Sequence, residues 1–206
     1  MLRVKTMPVV DIGLNEVLLK VVYHGPGLSG RTTNLHYVWV RTHPEEDQTK
    51  FFVAVRRAAG VVTFDFVPSS LAPLHRRQVR VSLAASTSSI DDGSRHRVLS
   101  GADGVVFVAD AQQERSEANE GSMQALARSL AAYGQKLEET PLVLQYNKCD
   151  LPNRMALADL QRLLNPRCVP HFEATARTGH GVFDSLKSVV GQILARERAR
   201  GGAPYR

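Results

Sequence analysis

Apolar residues along this chain fall into short runs of β character separated by longer stretches with helical spacing. The run at 17–23 reads as a buried strand, and residues 31 through about 40 follow as a helix. Runs at 61–67 and 78–83 alternate in polarity and lie close enough in sequence to pair as neighbours. Residues 103–110 are almost continuously apolar, which suits a central strand buried on both faces. Met123, Leu126, Leu130 and Tyr133 recur at helical spacing and place an amphipathic helix over 119–132. The pattern then predicts a strand at 141–146, a helix over 155–164 closed near Asn165-Pro166, and a short strand at 169–172. A last helix over 182–198 gathers Val182, Phe183, Leu186, Val189, Val190, Ile193 and Leu194 on one side. Strands alternating with helices predict an α/β protein: a mostly parallel central sheet of about six strands flanked by helices. One domain over 1–200 is expected, with 201–206 as a tail that lacks core-forming residues.

Composition narrows the class. A hydrophobic share of 43% over 206 residues supports one sizeable core. No apolar run reaches the length of a membrane span and the first residues carry no leader-like apolar stretch, so a cytoplasmic protein is expected. Cys149 and Cys168 stand apart from any metal-ligand spacing and read as structural thiols. The formal charge is +6, concentrated in Arg56-Arg57, His75-Arg76-Arg77, Arg95-His96-Arg97 and the stretch after Arg196. No interleaved aromatics or recognition-helix pattern accompany these cations, so solvated surface is the reading and specific nucleic-acid binding is not expected.

Chemistry enters directly after the first strand. Gly25-Pro-Gly-Leu-Ser-Gly-Arg-Thr-Thr33 fits the phosphate-loop pattern G-x-x-x-x-G-K-[ST], with Arg31 where lysine belongs. Gly25, Pro26, Gly27, Leu28, Ser29 and Gly30 would turn successive backbone N–H groups inward as an anion nest, backed by a helix N-terminus. Arg31, Thr32 and Thr33 complete the set. The Thr32 hydroxyl is placed to ligate a magnesium ion bridging the outer phosphates of a nucleoside triphosphate. Lysine to arginine is not a conservative exchange in so tight a site, because the guanidinium is larger, planar and bidentate.

The strand at 141–146 ends in Asn147-Lys148-Cys149-Asp150. A carboxylate at Asp150 accepts two hydrogen bonds from the adjacent N–H donors of guanine, a pair that adenine does not offer. Asn147 would tie this loop to the phosphate loop, and the stem of Lys148 would lie over the base. This N-K-x-D arrangement resembles that of the Ras-like small GTPases, and Glu173-Ala-Thr-Ala-Arg177 resembles the same superfamily's E-x-S-A-K loop. The resemblance implies a P-loop G-domain fold binding GTP or GDP with Mg²⁺. It further implies guanine contacts from Thr175, the Ala176 backbone N–H and Arg177. Segments 21–30, 64–68, 101–110, 144–153 and 181–187 resemble the bacterial gliding-motility group of that superfamily, the MglA family. That group implies a cytoplasmic polarity switch read by protein effectors and regulated by a small Roadblock-type homodimer.

Hydrolytic features of the superfamily are missing. Its D-x-x-G segment should follow the strand ending near Leu83, where the chain reads Ala84-Ala-Ser-Thr87, and no aspartate in the chain has glycine three residues later. Ser88 occupies the place of the water-orienting glutamine. Gly60 and Val61 stand where the gliding group carries a switch arginine and threonine. The leading expectation is a degenerate GTPase that binds guanine nucleotide, hydrolyses it slowly or not at all, and acts through protein contacts. Two others stand beside it. One is a working GTPase whose catalytic groups have moved to Arg56, Arg57 or Asp91; the other is a nucleotide-free interaction module with Arg31 filling the phosphate space.

Overall fold

A computed structural model describes residues 8–11, 14–51, 55–58, 60–87 and 94–200, the side chains at 57, 58, 94 and 95 excepted. Strands are β1 (Val9–Asp11), β2 (Glu16–His24), β3 (Arg56–Ala58), β4 (Val61–Phe66), β5 (Gln78–Ser86), β6 (Gly104–Asp110), β7 (Leu142–Asn147) and β8 (His171–Glu173). Helices are α1 (Arg31–Thr42), α2 (Ser94–Arg97), α3 (Ser116–Ala132), α4 (Leu157–Leu164) and α5 (Val182–Ala199). They are joined by single 3₁₀ turns at Gln48–Lys50, Gln113–Arg115 and Leu137–Glu139.

All eight strands share one sheet, ordered β3-β4-β5-β2-β6-β7-β8, with β1 paired to β2 outside that path. The block β5-β2-β6-β7-β8 is parallel. The pairs β3/β4, β4/β5 and β1/β2 are antiparallel. The α/β class and largely parallel sheet therefore match the sequence pattern, and the runs expected at 61–67 and 78–83 pair as neighbours, as Val61–Phe66 and the longer Gln78–Ser86. Two strands escaped that pattern, β1 and β3, each too short for alternation to register.

Period two explains how the sheet makes two cores. Val17, Leu19, Val21 and Tyr23 of β2 point to one face, where α1 supplies Leu35, Val38 and Trp39 and α5 supplies Val182, Leu186, Val189 and Ile193. Val22 points to the other face, among Phe107 of β6, Leu126 and Leu130 of α3, and Leu160 and Leu164 of α4. Tyr23, Tyr146, Phe107 and Leu126 are fully buried. Covering both faces is what requires every residue of β6 to be buried, as its sequence anticipated.

Parallel strands bring their carboxyl ends to one rim. His24, Asp110, Asn147 and Glu173 are the last residues of β2, β6, β7 and β8, and the loops that follow them carry the candidate chemistry.

Candidate nucleotide-binding site

The turn from β2 to α1 is held by two glycines that admit no side chain. At Gly25 (φ 154°) a Cβ would lie 2.2 Å from the Val108 carbonyl oxygen, and at Gly30 (φ 100°) it would lie 2.2 Å from Asn147 Nδ2. Leu28, between them, also adopts a left-handed φ of 66° and is 78% exposed at the tip of the loop. Gly30 caps α1 with no side-chain hydrogen bond, and the first helical turn holds no acidic residue. The amides at the start of α1 therefore meet no anionic group of the helix itself, which leaves the helix N-terminus suited to an external anion. Ser29 Oγ is fully buried within the loop and has no hydrogen-bond partner among the described residues. Such an orphaned hydroxyl fits a ligand with acceptor oxygens.

Leu28, Gly30, Arg31, Thr32, Thr33 and Thr87 line a cleft of about 230 Å³. Arg31 opens α1 and is only 5% exposed. Thr32 is half-buried and Thr33 exposed. Of the loop residues that the sequence singled out, Leu28, Gly30, Arg31, Thr32 and Thr33 thus share one opening.

Asn147 joins that loop to the other one. Its Nδ2 donates to the Ser29 carbonyl at 2.7 Å, while its Oδ1 accepts from the Ala176 N–H at 2.8 Å. Asn147 is the terminal residue of β7, so the tie expected from its position is made, across 118 residues of sequence. The Ala176 N–H, which family resemblance aims at a guanine oxygen, has Asn147 as its partner here. Lys148 adopts a left-handed φ of 68° and extends to Asp110, Nζ to Oδ2 2.6 Å. Asp150 is exposed with Arg177 Nη2 at 4.0 Å from Oδ2, so Arg177, itself 83% exposed at its side chain, faces the carboxylate expected to read the base. Thr175 is buried, and its backbone pairs with His180 to close the loop. Burial pushes the Cys149 thiol up from its ordinary value, which suits a structural rather than nucleophilic thiol.

Residues that sequence reasoning missed complete the rim. Gln145 of β7 donates to Asn34 Oδ1 at 3.0 Å and to Ser185 Oγ at 3.1 Å, linking α1, β7 and α5 through buried polar atoms. Asn34 in turn donates to the Gly30 carbonyl at 3.0 Å. Asp110, Arg115 and Asn119 form a second group beneath both loops. Their only sequence signal was an aspartate ending an otherwise apolar strand.

On the side where hydrolytic groups belong, the structure departs from the expected layout. The strand does not end near Leu83; β5 continues to Ser86, with Ala84, Ala85 and Ser86 paired to Thr63, Val62 and Val61. Thr87 then donates to the Gly60 carbonyl through its N–H at 2.9 Å and its hydroxyl at 3.1 Å. The reason is compositional: Ala84 and Ala85 are small, apolar and fully buried, so the ladder runs on where a glycine-containing turn would release it. Arg56 is bound through Nη2 to both oxygens of Asp65, at 2.9 and 2.8 Å, on the edge strand three places from β2. Ser88 and Asp91 lie outside the described residues, as does the side chain of Arg57.

The chain is 41% identical to the mutual gliding-motility protein MglA of Myxococcus xanthus (strain DK1622) over 197 residues, covering 95% of this chain and all of that protein. It belongs to the MglA family of small GTPases. A second likeness is to the GTPase Obg of Anaeromyxobacter dehalogenans (strain 2CP-C), 36% identical over 101 residues, 47% of this chain and 28% of that protein. No family model matches the chain. Among the described residues no helix is long and apolar enough to cross a membrane, and no group of three or more His, Cys, Asp or Glu side chains forms a metal cluster.

Proposed function

We propose that this protein is a guanine-nucleotide-binding member of the gliding-motility and polarity group that hydrolyses GTP slowly or not at all and acts by contacting other proteins. The observation that carries the reading is an asymmetry about one cleft. The phosphate loop and the guanine loop are joined through Asn147, whereas on the β5 side residues 84–86 run on as buried ladder and Thr87, which lines the cleft, is pinned to Gly60. GTP or GDP would lie with its phosphates against the amides of Gly25 to Thr33 and its base between Lys148, Asp150 and the turn Thr175-Ala176-Arg177. Mg²⁺ would be held by Thr32 and the nucleotide's own phosphates. Neither Ala84 nor Thr87 offers a carboxylate or amide to orient an attacking water. An arginine finger alone is worth about 10³–10⁵ in rate, and Arg56, turned onto Asp65, points away from that role. Effectors and a Roadblock-type regulator, in the cytoplasm, are the partners this reading implies.

Single-turnover GTP hydrolysis at saturating Mg²⁺, with and without a candidate regulator, tests it. Turnover far below that of ordinary small GTPases under both conditions is expected; a comparable rate would overturn the proposal.

One observation favours a second reading, a nucleotide-free interaction module. Arg31 is almost wholly buried at the entrance of α1, where its guanidinium would take up phosphate space. Titration with a fluorescent guanine nucleotide separates the two: saturable micromolar binding supports the first reading, and no binding by the native chain together with binding by Arg31→Lys supports the second.

A further inference from the structure

Beneath the two loops lies an ion cluster that neither motif includes. Asp110 ends β6 with its carboxylate 1% exposed. Oδ2 accepts from Lys148 Nζ at 2.6 Å and faces Arg115 Nε at 3.7 Å, and Oδ1 accepts from the Gln112 N–H at 3.2 Å. Its backbone is clamped by Asn119 of α3, which accepts from the Asp110 N–H at 3.0 Å and donates to the Asp110 carbonyl at 2.8 Å. Arg115 reaches the other way, donating from Nη2 to the Gly27 carbonyl at 2.7 Å, across 88 residues of sequence.

This last contact has a directional consequence. In a trans peptide the C=O and the following N–H point in opposite directions. Fixing the Gly27 carbonyl on Arg115 therefore turns the Leu28 N–H away from Arg115. Leu28 lines the cleft with Gly30 to Thr33, and its left-handed φ of 66° is a conformation a leucine keeps only when its surroundings hold it there. On the other side, Asp110 holds Lys148, which also has a positive φ and whose carbonyl accepts from the Leu151 N–H at 3.1 Å within the Asn147 to Asp150 turn. One buried carboxylate thus braces both loops, through a lysine on one side and an arginine on the other.

We infer that Arg115 and Asp110 are positioning residues for bound guanine nucleotide, coupling the phosphate loop to the guanine loop so that neither opens alone. The inference rests on the guanine-nucleotide reading above. Asp110 touches no ligand in this role and Arg115 acts through the Gly27 peptide, so both would set how long a nucleotide stays rather than which base is chosen. Lost hydrogen bonds to a charged group correspond to about tenfold to a hundredfold in an equilibrium or rate.

The test is the dissociation rate of a fluorescent GDP analogue from the full chain, chased with unlabelled GDP, in the native protein and in Arg115→Ala, Arg115→Lys and Asp110→Asn. Thermal midpoints are measured in parallel without nucleotide. Release about tenfold faster or more is expected for Arg115→Ala, with Arg115→Lys in between. The double variant Arg115→Ala/Asp110→Asn should release no faster than the more affected single variant, because residues of one network do not act additively. Should Asp110→Asn fail to fold, the Arg115 pair decides alone, since that side chain is 31% exposed and its truncation leaves the core intact. Release within twofold of native for Arg115→Ala overturns the inference while leaving the nucleotide reading in place. So does a double variant whose effects multiply. Failure of the native chain to hold any guanine nucleotide overturns both, and a lowered midpoint with unchanged release shows a purely structural role.

Discussion

Asn147 divides one amide between two loops, and the division can be tested. Asn147→Ala strands the Ser29 carbonyl and the Ala176 N–H, each costing about 1–3 kcal/mol when buried without a partner. The expected result is a loss of about 2–6 kcal/mol in urea unfolding together with weakened guanine-nucleotide binding. Gly30 belongs to the same contact, because a methyl there would displace Asn147 Nδ2. Arg31 poses the opposite case, a substitution whose consequence lies in what it excludes. Restoring the compact ammonium with Arg31→Lys should strengthen binding of a fluorescent guanine nucleotide without changing its preference over adenine, since the proposed reading gives base selection to Asp150 and not to the phosphate loop. A loss of affinity in that variant would mean that the guanidinium is itself a phosphate ligand.

Strands and helices carry the next set of effects. Because β5 runs through Ser86, rebuilding the missing acid does not rebuild an enzyme. Ala84 is fully buried among Val22, Leu99 and Phe107, so Ala84→Asp should cost about 3 kcal/mol or more in unfolding free energy and add no hydrolysis. At the opposite rim, Asp103 precedes β6 and binds β2 through the Lys20 N–H at 2.8 Å, with Arg196 of α5 at 3.9 Å and Glu197 beside it. Burial, the largest effect, pushes its carboxyl up from 3.8 to about 7, against the pull of the Lys20 N–H and Arg196. A folded pKa above the unfolded one means that the folded chain keeps a proton which the unfolded chain releases. Stability from this group is therefore complete below about pH 4 and is lost as pH rises through about 7. Urea unfolding between pH 4.5 and 8 should show that decline in the native chain, and Asp103→Asn should flatten it.

For the molecule as a whole, the nucleotide site proposed over β2, α1, β6, β7 and the turn after β8 would link binding to global stability. GDP at about a hundred times its Kd should add about 2.7 kcal/mol to unfolding, a rise of roughly 5–11 °C in thermal midpoint for a chain of this size. ADP at the same concentration should not, and equal shifts would remove the guanine assignment. The α/β layout, the positions of the principal strands and of the loops, and the pairing of the 61–67 and 78–83 runs were legible in the sequence, because period two, helical spacing and glycine-bounded turns are local properties. Asn147, Gly25 and Gly30 were legible for the same reason. Sequence alone did not disclose β1 or β3, which are three residues each, nor the continuation of β5, which depends on β4 lying beside it. Nor could it show that Lys148 ends on Asp110, that Arg115 reaches Gly27, or that Arg56 turns to Asp65. Those pairings span 38, 88 and 9 residues, and long polar side chains have no periodicity that records their partner. The chain itself marked a candidate phosphate loop and a candidate base loop and the chemistry each would suit. Tertiary structure decided how they are braced together and that β5 runs on as sheet to Ser86, because both outcomes depend on which elements become neighbours.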